Sequence, residues 1–219
     1  AIGRALLAQP RLLLMDEPLA SLDAGRKAEI LPYLSSIKAR LRLPIVYVTH
    51  AADEVARLAD WLVLLGGGQV IASGALEDLT ARGDLPFGQR DDAGSVLTMT
   101  VAAHDSARRL SILRARQTTL EVPTVGLPEG ASLRVRIPAR EVIMARERPA
   151  SISVHNIIAG TVRAVTNDET RRAALVELSL PDGAILARIT PDAVQKLELR
   201  PGASALALVK SVAVEVLVP

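Results

Sequence analysis

Leu12-Leu13-Leu14-Met15-Asp16-Glu17-Pro18 sets four apolar residues directly against two carboxylates and a proline. Four apolar residues are too few for a helix and suit a strand buried in a parallel sheet. The two acids then stand at the strand's C-terminal end, where open α/β sheets gather their ligands. Around this stretch the first 81 residues alternate helix and strand signals. Residues 2–9 read as a short helix closed by Pro10. Residues 23–42 have helical composition, with Pro32 expected to kink or restart the helix. Residues 44–48 (Pro-Ile-Val-Tyr-Val) read as a second buried strand, and 51–59 as a helix with Asp53 and Glu54 near its acid-favouring N-terminus. Two further strands, 61–65 and 69–72, are joined by Gly66-Gly67-Gly68, a hairpin signal. This order predicts an α/β domain with a mostly parallel sheet over residues 1–81.

Residues 82–94 are polar and glycine-rich and read as a linker. Beyond them the period changes to two. Leu133, Val135 and Ile137 alternate with Arg134 and Arg136. Val176, Leu178 and Leu180 alternate with Glu177 and Ser179 before the turn Pro181-Asp182-Gly183. Short strands with turn signals predict an all-β barrel domain. The pattern is duplicated: Gly130-Ala131-Ser132 recurs as Gly202-Ala203-Ser204, and Thr100-Val101-Ala102-Ala103 more weakly as Thr161-Val162-Arg163-Ala164. Two barrel-like copies are therefore expected, at 95–149 and 150–219.

Composition narrows the function classes. The 219 residues carry 26 Lys+Arg against 24 Asp+Glu and no Cys, which excludes a disulfide scaffold and thiolate metal sites. One Trp, two Tyr and one Phe all precede residue 90, so no base-stacking platform exists after it. The net charge of +2 describes no nucleic-acid-binding face. No apolar run approaches the roughly 20 residues of a membrane span.

The chemistry concentrates at two places. At the first strand end, Asp16 can hold Mg²⁺, mainly through water. Glu17 can orient or deprotonate a water for attack on a γ-phosphate. Ser21-Leu22-Asp23 follows, and Val48-Thr49-His50 ends the next strand, so His50 projects at the same sheet edge. Taken singly, an acidic pair is an ordinary helix cap and a lone His an ordinary structural residue. Their conjunction resembles the ATP-binding subunit of ABC transporters: Asp16 and Glu17 match its Walker B strand and catalytic Glu, Ser21-Leu22-Asp23 its D-loop, and His50 its switch histidine. That resemblance implies ATP and Mg²⁺ as cofactors, a homodimer sandwiching ATP with Asp23 at the interface, and permease subunits as partners. It further implies peripheral placement at the cytoplasmic face of the membrane and an indirect link to a periplasmic binding protein. The sequence departs from the family in holding no G-x-x-x-x-G-K-[ST] and no signature motif. The chain is therefore expected to be the C-terminal part of a longer subunit, inactive alone.

The second place is in the β region. Ser153, His155 and Asn156 open the second copy, and Lys210-Ser211 are expected within its last strand. Hydroxyl, amide, imidazole and ammonium groups supply the donors that a tetrahedral oxyanion needs, molybdate and sulfate alike. Bland readings remain beside this one, with Lys210 solvated and Ser153 and Asn156 capping a turn. The region resembles the molybdenum-pterin-binding type of transport-associated barrel, with His155 where Arg is usual. In the first copy Pro138 and Ala139 stand where Lys-Ser would fall. Together the resemblances imply an importer ATPase for molybdate whose barrels bind oxyanion, regulate or dimerise. An importer for sulfate, sugar or another solute, and an oxyanion storage or sensor protein with an ATPase remnant, remain as alternatives.

Overall fold

The computed structural model describes residues 2–41 and 43–217. Ala1, Arg42, Val218 and Pro219, which the expected domains include, lie outside the described residues. The chain divides into two compact units, the first ending at Asp60 and the second running over Trp61–Leu217.

In the first unit, α1 (Ile2–Leu7) precedes β1 (Leu13–Asp16), α2 (Ala24–Leu41), β2 (Ile45–Val48) and α3 (Ala52–Leu58). Strands β1 and β2 pair in parallel, Leu13 opposite Ile45 and Asp16 opposite Val48. Leu13 and Met15 point inward, while Leu14, Val46 and Val48 stay exposed on the opposite face. The strands expected to be fully buried are thus covered on one face only. Helix α2 continues through Pro32 without restarting. Leu31 and Leu34, both buried with Leu19, flank the proline, and their packing offsets the lost amide donor.

The second unit opens with a hairpin, β3 (Trp61–Gly66) and β4 (Gln69–Ala75), then α4 (Leu76–Thr80) and α5 (Pro86–Gln89). Gly67 and Gly68 take φ of +57° and +76°, the left-handed pair that a tight two-residue hairpin demands. Next come β5 (Gly94–Asp105), β6 (Leu110–Arg114), β7 (Thr119–Pro123), β8 (Ser132–Pro138) and β9 (Ile143–Ala145). The same series recurs as β10 (Asn156–Asp168), β11 (Ala173–Leu180), β12 (Gly183–Ile189), α6 (Pro191–Lys196), β13 (Ser204–Val209) and β14 (Glu215–Leu217). The result is two five-stranded sheets, in the orders β12-β11-β10-β13-β9 and β14-β8-β5-β6-β7.

Three expectations are corrected by this arrangement. The copies are not separate at residue 150: β9, from the first, pairs with β13 of the second, and β14, from the second, pairs with β8 of the first. Each copy thereby finishes the other's sheet, and one apolar core takes Leu113 and Val135 from one copy and Leu178 and Val209 from the other. The expected linker at 82–94 is packed structure. Leu85 and Ala93 are buried, and the Gly83 N–H donates to Glu177 Oε1 at 2.8 Å. Its charged residues form ion pairs, Arg82 with Asp84, Arg90 with Asp92 and Asp91 with Arg171. The hairpin at 61–75 and α4 also belong to the barrel unit, not to the first unit: Val96 N donates to the buried Thr80 hydroxyl at 3.1 Å.

Candidate functional site

At the C-terminal ends of β1 and β2 the sequence-predicted residues separate into a pair in contact and two that are elsewhere. Glu17 follows β1 in a left-handed conformation, φ +42°, and its N–H donates to the Val48 carbonyl of β2 at 2.9 Å. This turn, uncommon for a residue with a Cβ, swings the carboxylate across to the neighbouring strand end. There Glu17 Oε1 lies 2.6 Å from His50 Nδ1 and accepts the His50 N–H at 3.1 Å. A carboxylate partner places the ring proton on Nδ1, so Nε2 of this largely exposed imidazole is the nitrogen left for a ligand. Asp16, the last residue of β1, is exposed beside this pair in sequence. Asp23 caps α2: its Oδ1 accepts the Arg26 N–H at 2.9 Å. It is exposed as well and has one carboxylate oxygen beyond the cap, 3.5 Å from Arg26 Nε.

Beneath the His50 turn lies a network that the sequence did not single out. Glu54, on α3, is 1 % exposed. Its Oε1 accepts Lys27 Nζ at 2.8 Å, and its Oε2 accepts the Tyr47 and Thr49 hydroxyls, each at 2.8 Å. Burial pushes the Glu54 carboxyl up, but the three donors together outweigh it and hold it below the usual carboxylate range. The hydrogen bond to Glu54 raises Lys27. Burial, reinforced by the Glu54 bond, raises the Tyr47 phenol. Lys27 and Glu54 are therefore both charged at neutral pH. A basic residue, an aromatic hydroxyl and a Thr at the right helix and strand positions were the signal, but no spacing rule joins residues 27, 47, 49 and 54.

In the second unit, His155 and Ser211 meet, with Ser211 Oγ 3.2 Å from His155 Nδ1. Asn156 stands opposite Val209 at the strand ends, with His155 just before β10 and Lys210 just after β13. Lys210-Ser211, expected within a strand, instead enter a 3-10 turn because β13 ends at Val209. His155 and Lys210 are exposed and Ser211 is buried; Ser153, two residues before His155, is exposed as well. Asn156 differs from its expected role. It is buried, its Oδ1 accepts the Glu121 N–H at 2.6 Å and its Nδ2 donates to the Glu121 carbonyl at 3.0 Å. Both ends of the amide are spent on strand β7, so Asn156 braces the site from below.

Known proteins resemble the chain in both units. The TOBE domain model matches residues 152–216. The molybdenum import ATP-binding protein ModC of Granulibacter bethesdensis is 49% identical over all of this chain and 61% of its own length. The ModC proteins of Albidiferax ferrireducens and Pseudomonas aeruginosa are 47% and 46% identical over 98% and 97% of the chain, covering 58% and 60% of theirs. Along nearly its whole length the chain is similar to these ModC proteins. It corresponds to their C-terminal region and spans about three-fifths of the length of these curated relatives. A crystal structure of the cytoplasmic molybdate-binding protein ModG, with molybdate bound, aligns at a TM-score of 0.50 and 27% identity, covering 57% of this chain and 96% of ModG. The chain has an α/β unit and, in the other unit, two five-stranded half-barrel sheets consistent with OB-like barrels, the TOBE match lying over residues 152–216. Among the described residues no helix is long and apolar enough to cross a membrane.

Proposed function

We propose that this chain is the C-terminal part of the ATP-hydrolysing subunit of an ABC importer that energises molybdate uptake. The observation that carries the reading is the 2.6 Å Glu17–His50 contact at the C-terminal ends of two parallel strands. The names of the similar proteins supply the solute. In this reading the first unit, ending at Asp60, derives from the nucleotide-binding domain. The barrels carry an oxyanion site at the second copy.

Glu17 holds a carboxylate oxygen where it can take a proton from an attacking water, while His50, with Nδ1 held by Glu17, donates from Nε2–H of the protonated ring to a terminal phosphate oxygen. Asp23, at the exposed start of α2, faces a second copy of the subunit. Mg²⁺ fits the donor set in one way only. Among the described residues no group of three or more acids or histidines could hold a metal. The lone Asp16 carboxylate suits an ion otherwise bound by water and phosphate. When bound, that ion neutralises developing phosphate charge. The permease partners, the indirect periplasmic binding protein and the peripheral position at the cytoplasmic membrane face follow from the same reading.

Two measurements test it. Without a G-x-x-x-x-G-K-[ST] loop, the purified chain should release no phosphate from Mg-ATP, and robust turnover overturns that part. Calorimetric titration should show molybdate bound in preference to sulfate, and Lys210→Met should weaken it at least about tenfold by removing the site's ammonium. Absence of binding to either anion would leave the barrels as a scaffold.

A further inference from the structure

The Lys27–Glu54 pair is costly to keep for stability alone. Burying the Glu54 carboxylate, with Lys27 partly withdrawn from water beside it, carries a desolvation penalty, and an apolar pair of similar volume would hold α2 against α3 as well. What an apolar pair cannot do is direct donors. Glu54 collects one donor from α2, one from β2 and one from the turn after β2. The Thr49 hydroxyl gives its proton to Glu54 and accepts the Ala51 N–H at 3.1 Å. The backbone on both sides of His50 is therefore fixed, and the His50 N–H is left aimed at Glu17. On the other side, Lys27 is one turn along α2 from Asp23, and its own N–H donates to the Asp23 carbonyl at 3.0 Å.

We propose that Glu54 and Lys27, with Thr49, are positioning residues that hold the His50 turn and the Asp23 end of α2 in one fixed relation. The proposal rests on reading Glu17, His50 and Asp23 as parts of a nucleotide site. Neither Glu54 nor Lys27 reaches the exposed face of that site, so they act through the groups they hold.

Amide hydrogen exchange of the full chain, followed by NMR, tests this. In Thr49→Val and Glu54→Gln the His50 and Ala51 amides should exchange about tenfold faster, as loss of one net hydrogen bond implies. Thr49→Ser, which keeps the hydroxyl, should restore the wild-type rate. The Leu31 and Leu34 amides of α2 should keep their protection throughout. Lys27→Met should extend the rise to the Arg26 amide, which Asp23 caps. Unchanged His50 and Ala51 exchange, or an equal rise at Leu31 and Leu34 in Thr49→Val, overturns the proposal. An unchanged Arg26 amide overturns its α2 half. Thr49→Val leaves the charged pair in place and decides the matter even if Glu54→Gln does not fold. No nucleotide is needed, so failure of the clamp and failure of the ATPase reading are separate results.

Discussion

The two β copies share their backbone and differ in their chemistry. In the first, the Gly130 N–H donates to the Val101 carbonyl and the Val101 N–H to the Ala131 carbonyl; in the second, Gly202, Val162 and Ala203 make the same closed pair. Gly130 and Gly202 both carry φ above +80°, and both long strands are bulged just after the paired valine. Each copy also reaches into the other from the same place. Ser95 Oγ accepts the Leu186 N–H of β12 at 2.7 Å, and Asn156 Oδ1 accepts the Glu121 N–H of β7. Yet where the second copy has Lys210 and Ser211 entering a 3-10 turn, the first has Pro138 and Ala139 entering the same turn. A Pro and an Ala keep the bend and remove both side-chain donors of that pair, while the Ala139 N–H still donates to the Ala93 carbonyl.

The comparison breaks most readily at the shared core. Leu113 and Leu178 occupy matching positions, both fully buried. Either one changed to Ala should cost about 2–5 kcal/mol. Because β9 and β14 are exchanged, each change should loosen both sheets together. Denaturation followed by hydrogen exchange at β6 and β11 amides should show one transition, and two separate transitions would show that the copies fold independently.

The inter-copy bridges come next. Asn156→Leu removes the partner of two part-buried groups, the N–H and carbonyl of Glu121, and should cost about 2–3 kcal/mol, whereas Ser95→Ala leaves one buried N–H, that of Leu186, unpaired and should cost about 1–2 kcal/mol. The difference is read from denaturation midpoints, and equal costs would mean that the second amide bond of Asn156 contributes nothing.

The smallest effect is the asymmetric one. Asp182, in the turn of the second copy, accepts the Gln117 and Thr118 N–H groups of the first through Oδ2, at 2.6 and 2.7 Å. Partial burial raises its carboxyl, and the two N–H donors outweigh that and lower it. A folded-state value below the unfolded one gives stability that is present above the unfolded pKa and lost as pH falls through the folded one. Asp182→Asn should therefore lower the midpoint at neutral pH, and that difference should fade in acid. A difference that is constant with pH would assign the effect to packing alone.

Much of this architecture could be read from the residues. The run at 12–18 placed two acids at a strand end because four apolar residues cannot make a helix, and the glycine pairs located the hairpin and the repeat. Helix α2 persisted through Pro32 because tertiary burial of Leu31 and Leu34 overrides a local penalty. Glu177 read as a solvent-facing alternate of its strand, yet it is buried beneath Gly83, since its partner stands 94 residues away. The site residues were similarly divided. Glu17 and His50 were legible from strand-end positions, while the amide commitment of Asn156 depended on β7, a strand with no sequence mark of its neighbour.

Residue order alone determined which groups this protein has to work with: two carboxylates after one strand, a histidine after the next, a duplicated β pattern and a single Lys-Ser pair. Hydrophobic period and turn chemistry are local, so a linear reading reaches them. Only the tertiary structure decided that the copies trade their last strands, that residues 82–94 are packed, and that Lys27, Tyr47, Thr49 and Glu54 converge under His50. Those outcomes are contacts between distant segments, where burial and hydrogen-bond satisfaction are settled across the whole unit at once.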